Sequence, residues 1–169
     1  GTLRIAEPLG SCLPEASGAC TSCGLCLASC PGASVDFRPL EKKLFGEAAS
    51  SRLLGVVRGA FLAHAADPGL RATGTSGAVV TAILLDCIER AEADGALLFA
   101  PHEVEPWRGW GSVVSSAQGI VASAQSRYHL SPLNTVLAHA GSLRGSYAYV
   151  GLPCQVHGLR KLASAGWTP

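Results

Sequence analysis

The sequence predicts an α/β fold, a partly parallel sheet with crossover helices, preceded by a small cysteine-rich segment. Three observations carry this reading. The chain changes character near residue 54, from Gly, Ser, Pro and Cys to apolar runs. A helical apolar pattern over 74–93 is flanked by strand-like runs, and a second strand-like run at 147–152 leads back into helical spacing. Strand and helix patterns that alternate in this way build crossover units over a sheet whose strands are at least partly parallel. With 169 residues, 48% of them hydrophobic, one substantial core can form.

Taken in order, residues 1–55 lack a regular period, and the division expected is 1–53 as the cysteine-rich segment and 54–169 as the α/β domain. Val56-Val57 and Phe61-Leu62-Ala63 read as a strand, closed by the turn-like Asp67-Pro68-Gly69. From Gly74 to Ala93, Val79, Val80, Ile83, Leu84, Cys87, Ile88 and Ala91 recur at helical spacing, with Asp86, Glu89, Arg90 and Glu92 mostly opposite, which predicts an amphipathic helix. Gly95 then stands where a helix C-cap would, and Ala96–Ala100 follows as a short buried strand. Gly111–Ser116 is a further strand, and Leu133–His139 is a helix running into Gly141. Tyr147–Leu152 is a buried-type strand, and Val156–Ala163 is a helix that puts Gly151–Cys154 at a strand-to-helix junction.

Charge excludes some function classes. A formal net charge of +1, with no basic cluster, offers no surface to neutralise many phosphates, so nucleic acid is not expected as a partner. The longest apolar run, Ala78–Leu85, falls far short of the ~20 residues of a membrane-spanning helix. No leader pattern is visible at the start, which makes the cytoplasm the expected compartment, although a chain beginning with Gly and lacking Met points to missing upstream sequence.

The densest chemistry lies at Cys20, Cys23, Cys26 and Cys30, followed by Pro31, a complete match to the ferredoxin spacing C-x2-C-x2-C-x3-C-P. Two-residue gaps let a short loop wrap a 4Fe-4S cube while leaving amides to bond its sulfides, and Gly24 permits close approach of the backbone. The leading segment is therefore read as ferredoxin-like and iron-sulfur binding. Structural zinc, the rival, more commonly uses two separated cysteine pairs. In two-cluster ferredoxins the fourth cysteine serves the other cluster, so Cys30 has two possible roles, and the missing corner would then fall to Cys12, Cys154 or sequence outside the chain. Cys87 sits on an apolar helix face as a small core residue.

Gly74, Ser76 and Gly77 precede a helix, where amides and the positive helix end can cradle a phosphate, but a short Gly/Ser loop is on pattern alone more often a plain helix start. Arg127 suits a phosphate contact and Tyr128 a ring stack. None of the five histidines pairs with a carboxylate at ligand spacing; His64, His102 and His139 read as surface or loop residues, and His129 and His157 as packing or solvent-facing. With no catalytic triad or carboxylate pair visible, the chemistry belongs to cofactors rather than side chains.

Three stretches, read with the cysteine loop, resemble the coenzyme F420 hydrogenase/dehydrogenase beta-subunit family. Thr75-Ser76-Gly77-Ala78-Val79-Val80-Thr81 is similar to its Gly-rich loop entering a helix, with Ala78 in place of the second glycine. Gln125-Ser126-Arg127-Tyr128-His129-Leu130-Ser131-Pro132 is similar to its Lys-Tyr segment ahead of Ser-Pro, with Arg127 where Lys is usual. Val150-Gly151-Leu152-Pro153-Cys154-Gln155, continuing to Lys161, resembles the third and most specific stretch. The resemblance covers about Leu54–Leu162 and implies an N-terminal half of a longer protein, truncated at its C-terminal end. It further implies FAD, at least one 4Fe-4S cluster, electron exchange with a deazaflavin coenzyme (coenzyme F420) or with ferredoxin, and other subunits of a redox complex as partners. FAD contacts are implied at Gly74, Ser76, Gly77, Thr81, Ser126, Arg127, Tyr128 and Ser131, and a second-cluster ligand at Cys154. Two rivals stay open: an iron-sulfur electron-relay module without flavin, and a zinc-stabilised interaction domain.

Overall fold

The computed structural model describes residues 3–5, 13–128 and 130–167, so the readings of Cys12 and His129 lie outside the described residues. The chain divides into two compact units, one from 1–23 with 64–151 and one from 24–63 with 152–168.

The first unit is built on a three-stranded sheet of order β4-β3-β5, where β3 is Gly95–Pro101, β4 Gly109–Val114 and β5 Tyr147–Tyr149. β3 pairs antiparallel with β4 from Ala96↔Val114 to Pro101↔Gly109, and parallel with β5 from Gly95↔Tyr147 to Leu97↔Tyr149. The parallel pair is joined through β4, the helix α5 (Ala117–Ala122) and the 3-10 segment Leu133–Ser142. A mixed α/β architecture with parallel pairing thus matches the expectation, with an antiparallel edge strand added. A small antiparallel hairpin, β1 (Leu3–Ile5) with β2 (Pro14–Ala16), also belongs to this unit.

The strand period sorts the core. Ala96 and Leu98 of β3 meet Leu84 of α4 (Val79–Glu89) and Ile120 of α5, with Val114, Ala148 and Val150 packed around them. Burying Leu84, Leu98 and Ile120 stabilises the unit by roughly 1.5–3 kcal/mol per side chain. The alternate residues of β3 face the other way. There the 3-10 segment lies against β4 so closely that a Cβ on Gly111 would strike the Leu133 carbonyl and the Val136 side chain. Glycine is required at that point by backbone approach. The parallel pair is set by Asp94: its N–H donates to the Ser146 carbonyl at 2.7 Å, and its carboxylate accepts the Ser146 N–H at 2.8 Å.

The second unit carries α1 (Leu25–Ser29), α2 (Phe37–Phe45) and α6 (Pro153–Ser164). α2 is bounded by an Asp36 carboxylate that accepts the Arg38 N–H at 3.2 Å, and by Gly46, whose φ of 78° closes the C-terminal turn. α6 starts with Pro153 in its first turn, and the Gln155 side chain accepts the Leu152 N–H at 2.8 Å. His157 on α6 meets Phe37 of α2 edge to face, with ring centroids 5.0 Å apart.

Three local expectations are corrected. Residues 54–63 form no strand, and Phe61 and Leu62 are exposed; β-prone side chains become a strand only when a neighbour pairs with them. Segment 35–51, expected to be irregular, holds α2, because Pro39 lies in the helix's first turn, where it breaks no hydrogen bond. Gly95 is not a C-cap: α4 ends with Arg90 as its cap, Ala91 takes a φ of 54°, and Gly95 is the buried first residue of β3.

Candidate functional site

The first candidate site is the turn ahead of α4. The helix α3 (Pro68–Thr73) is capped by Asp67, whose carboxylate accepts the Leu70 N–H at 2.6 Å, and it delivers the chain to Gly74 in extended conformation. Three successive left-handed residues follow, with φ of 51° at Ser76, 74° at Gly77 and 56° at Ala78. For Ser76 and Ala78 this geometry costs about 1–2 kcal/mol each. The turn is held from two sides, by the Ala78 N–H donating to the Thr75 carbonyl at 3.0 Å and by the Ala65 N–H donating to the Gly77 carbonyl at 2.7 Å. Ala78 is buried against Gly74, where an added Cβ would stand 2.5 Å from the Ala78 Cβ. Two glycines therefore have different causes: Gly77 for its φ, Gly74 for the space.

The turn meets the second motif directly. Thr75 Oγ1 and Ser126 Oγ lie 3.0 Å apart although 51 residues separate them in the chain. Gln125, with a φ of 78°, turns the chain into Ser126 after α5. Arg127 follows, half-buried, and among the described residues no carboxylate pairs with it. Its planar guanidinium thus keeps donors available for an anion. Tyr128 is 96% exposed, a ring free to stack. The Ser131 hydroxyl is buried. Thr81 is buried on α4 one turn before Leu84, on the core-facing side, whereas Ser76 is exposed. Of the expected cofactor residues, Gly74, Ser76 and Gly77 are gathered with Ser126 and its neighbour Arg127 through Thr75. Sequence reasoning quoted Thr75 in its motif but gave it no role; the signal was a hydroxyl adjoining the glycine turn.

The second candidate site is the cysteine loop. Cys20, Cys23, Cys26 and Cys30 are all exposed, as is Cys154 at the second position of α6. The Ser22 N–H points at Cys20 Sγ, 3.4 Å away, the kind of amide-to-sulfur contact that iron-sulfur loops use. Gly24, with a φ of 73°, opens α1, and the Cys30 N–H closes it on the Cys26 carbonyl at 3.1 Å. Cys26 and Cys30, four residues apart, thus lie on one side of that turn. Among the described residues no three His, Cys, Asp or Glu side chains are gathered as a metal site. Each of the four thiols is accessible, and an amide is aimed at the Cys20 sulfur, which is the donor chemistry an iron-sulfur cluster would use. Lys161 on α6 donates to the Cys30 carbonyl at 3.0 Å and to the Ser34 carbonyl at 2.6 Å, a contact that sequence reasoning missed and that no local pattern announces. His64 Nδ1 lies 3.1 Å from the Arg71 guanidinium, and His102 Nδ1 accepts the Val104 and Glu105 N–H groups; both are structural contacts in exposed loops.

This architecture is a mixed α/β domain with a strained glycine turn joined to a second loop, accompanied by a cysteine segment. Residues 60–138 match the family described as Coenzyme F420 hydrogenase/dehydrogenase, beta subunit N-term. Over this stretch the chain is similar to that family. It is 32% identical over 161 residues to the coenzyme F420-dependent sulfite reductase of Methanocaldococcus jannaschii, an alignment covering 86% of this chain and 25% of that protein. The chain thus spans about a quarter of the length of this curated relative. Its fold is similar to that of a chain in the xenon-derivatised F420-reducing NiFe hydrogenase complex from Methanosarcina barkeri, with a TM-score of 0.56 and 22% identity, covering 62% of this chain and 36% of that one. At this identity the likeness speaks for the fold alone. Among the described residues no helix is long and apolar enough to cross a membrane.

Proposed function

We propose that the chain is an iron-sulfur flavoprotein subunit of an oxidoreductase, passing electrons between a 4Fe-4S cluster, FAD and either coenzyme F420 or ferredoxin. Residues 1–53 form the iron-sulfur part and 54–169 the flavin part, with other subunits of a redox complex as partners. The observation that carries the flavin assignment is the hydroxyl pair Thr75–Ser126, 3.0 Å apart, which joins the turn before α4 to the segment bearing Arg127 and Tyr128. Bound flavin interconverts single electrons and hydride-level pairs, and the cluster moves electrons singly.

The residues have distinct tasks. The Thr75 and Ser126 hydroxyls and the backbone around Ser76 and Gly77 hold the pyrophosphate, and Arg127 neutralises it through its guanidinium. The exposed Tyr128 ring stacks on a flat ring system. Cys20, Cys23, Cys26 and Cys30 hold the cluster as thiolates. Cys154 ligates a second cluster. The name of the sulfite reductase relative supports F420 as the exchange partner.

Anaerobic reconstitution tests the reading. The protein should take up about four iron and four sulfide and show a broad absorbance that dithionite bleaches. FAD added to the same protein should stay bound through gel filtration, and Ser76→Leu should abolish that retention. Stoichiometric zinc without sulfide overturns the cluster assignment, and equal retention by Ser76→Leu overturns the flavin site.

A further inference from the structure

Lys161 lies far in sequence from the cysteine loop, yet its ammonium ends there. It donates to the Cys30 carbonyl at 3.0 Å and to the Ser34 carbonyl at 2.6 Å, so one cation spans the first residues after the last cysteine of the motif. The support comes from the helix side. α6 runs from Pro153 to Ser164, and Phe37 of α2 packs edge to face on His157, one turn before Lys161. The side chain is half-buried, and among the described residues it pairs with no carboxylate, so its charge is not cancelled locally. α1 buries none of its residues, so the loop end depends on its contacts with α6, Lys161 among them.

We propose that Lys161 is the positioning residue of the Cys30 corner: it anchors the end of the loop to α6, and its fixed positive charge favours the one-electron-reduced form of the cluster. The inference rests on the iron-sulfur reading above. Reduction adds one electron to the bound cluster, with no bond broken and no proton required, and so makes the site more negative by one charge. A cation held at the carbonyl of a ligating residue stabilises that added charge more than it stabilises the oxidised form. The second effect is mechanical. Two charge-assisted hydrogen bonds hold the loop end, and without them the Cys30 thiolate has more freedom to leave.

The test compares the reconstituted chain with Lys161→Gln, which removes the charge but keeps an amide donor, and with Lys161→Arg, which keeps the charge. The electron is supplied by dithionite in a spectroscopic titration against mediators, and iron release to a chelator is timed in parallel. Lys161→Gln should have a more negative midpoint potential and lose iron several-fold faster, with Lys161→Arg returning both towards the unsubstituted values. Equal potentials in all three proteins would overturn the proposal, even if Lys161→Gln loses iron faster, because a purely structural lysine would give that result. If Lys161→Gln holds no cluster, Lys161→Arg decides: loading at the unsubstituted potential supports the charge, and loss of iron there as well overturns it. An unsubstituted chain that takes up no iron and sulfide is a separate result, the failure of the iron-sulfur reading itself.

Discussion

Replacing Gly74 by alanine probes the turn on which the proposed flavin site is built. Gly74 has ordinary extended backbone, φ −108° and ψ 157°, so an alanine there brings no conformational strain of its own. Its Cβ would stand 2.5 Å from the Ala78 Cβ and 2.8 Å from the Ala78 Cα, and both are less than any relaxed carbon contact. Ala78 cannot retreat easily, because it is 3% exposed and its N–H is tied to the Thr75 carbonyl at 3.0 Å. Overpacking of this kind costs about 1–3 kcal/mol. Ala78→Gly in turn relieves a left-handed alanine, worth about 1–2 kcal/mol, but loses a buried methyl of about 0.8 kcal/mol and frees the unfolded chain, so alone it should be near neutral. Combined with Gly74→Ala it removes the closest contact and leaves those to the Ala78 Cα and N. The expected double-mutant cycle therefore shows a favourable coupling of about 0.5–2 kcal/mol. Urea unfolding of the four proteins at constant slope measures it. Strict additivity, or a Gly74→Ala protein as stable as the unsubstituted one, would refute the argument that Gly74 is there for space.

Other outcomes follow from single contacts. Gly145→Ala should destabilise the sheet by about 1–3 kcal/mol, seen in the same unfolding assay, since Gly145 has a φ of 101° and its added Cβ would meet the Asp94 carboxylate. Asp36→Ala should cost about 0.5–2 kcal/mol through loss of the α2 cap, read as reduced helical circular dichroism and a lower urea midpoint. Arg127→Gln should weaken FAD binding about tenfold or more, measured by quenching of flavin fluorescence, as expected for loss of a charge-assisted phosphate contact. Cys23→Ser should remove about four iron from the reconstituted chain, whereas Cys154→Ser should leave that content unchanged.

What the sequence made legible depended on whether a signal was local. α4 was readable because Val79, Val80, Ile83, Leu84, Cys87 and Ile88 fall on one arc, yet its start was placed too early, since Ser76–Ala78 turn left-handed and no propensity of serine or alanine announces that. β3 was readable as an apolar run, and its burial on both faces is why it carried no alternation. α2 was missed although its Asp36 and Gly46 caps stood in plain view, because Pro39 and the charges of 41–43 masked the period. The segment 54–63 misled for the opposite reason: its side chains favour a strand, but pairing is a property of neighbours, not of the segment. The Thr75–Ser126 and Lys161–Cys30 contacts span 51 and 131 residues, distances over which one sequence holds no pattern.

The cysteine loop shows how local legibility and tertiary support divide the task of making a site. Spacing alone picks out the four cysteines, but the helix that carries Cys26 and is capped by Cys30, α1, has five residues, none buried, with Leu25 and Leu27 each 67% exposed. A helix so short cannot sustain itself, because nucleation costs more than so few hydrogen bonds return. What steadies α1 here comes from elsewhere: the left-handed Gly24 at its start, the Cys30 cap at its end, and the Lys161 ammonium on the carbonyls that follow. A cluster bound by these thiolates would add its own binding free energy to the ordering of the loop, since metal affinity and folding are coupled where the ligands lie on a weakly held segment. The lysine contacts are made by the chain alone, so the charge and the anchoring of the loop end are two separable consequences of one side chain, read as potential and as iron retention.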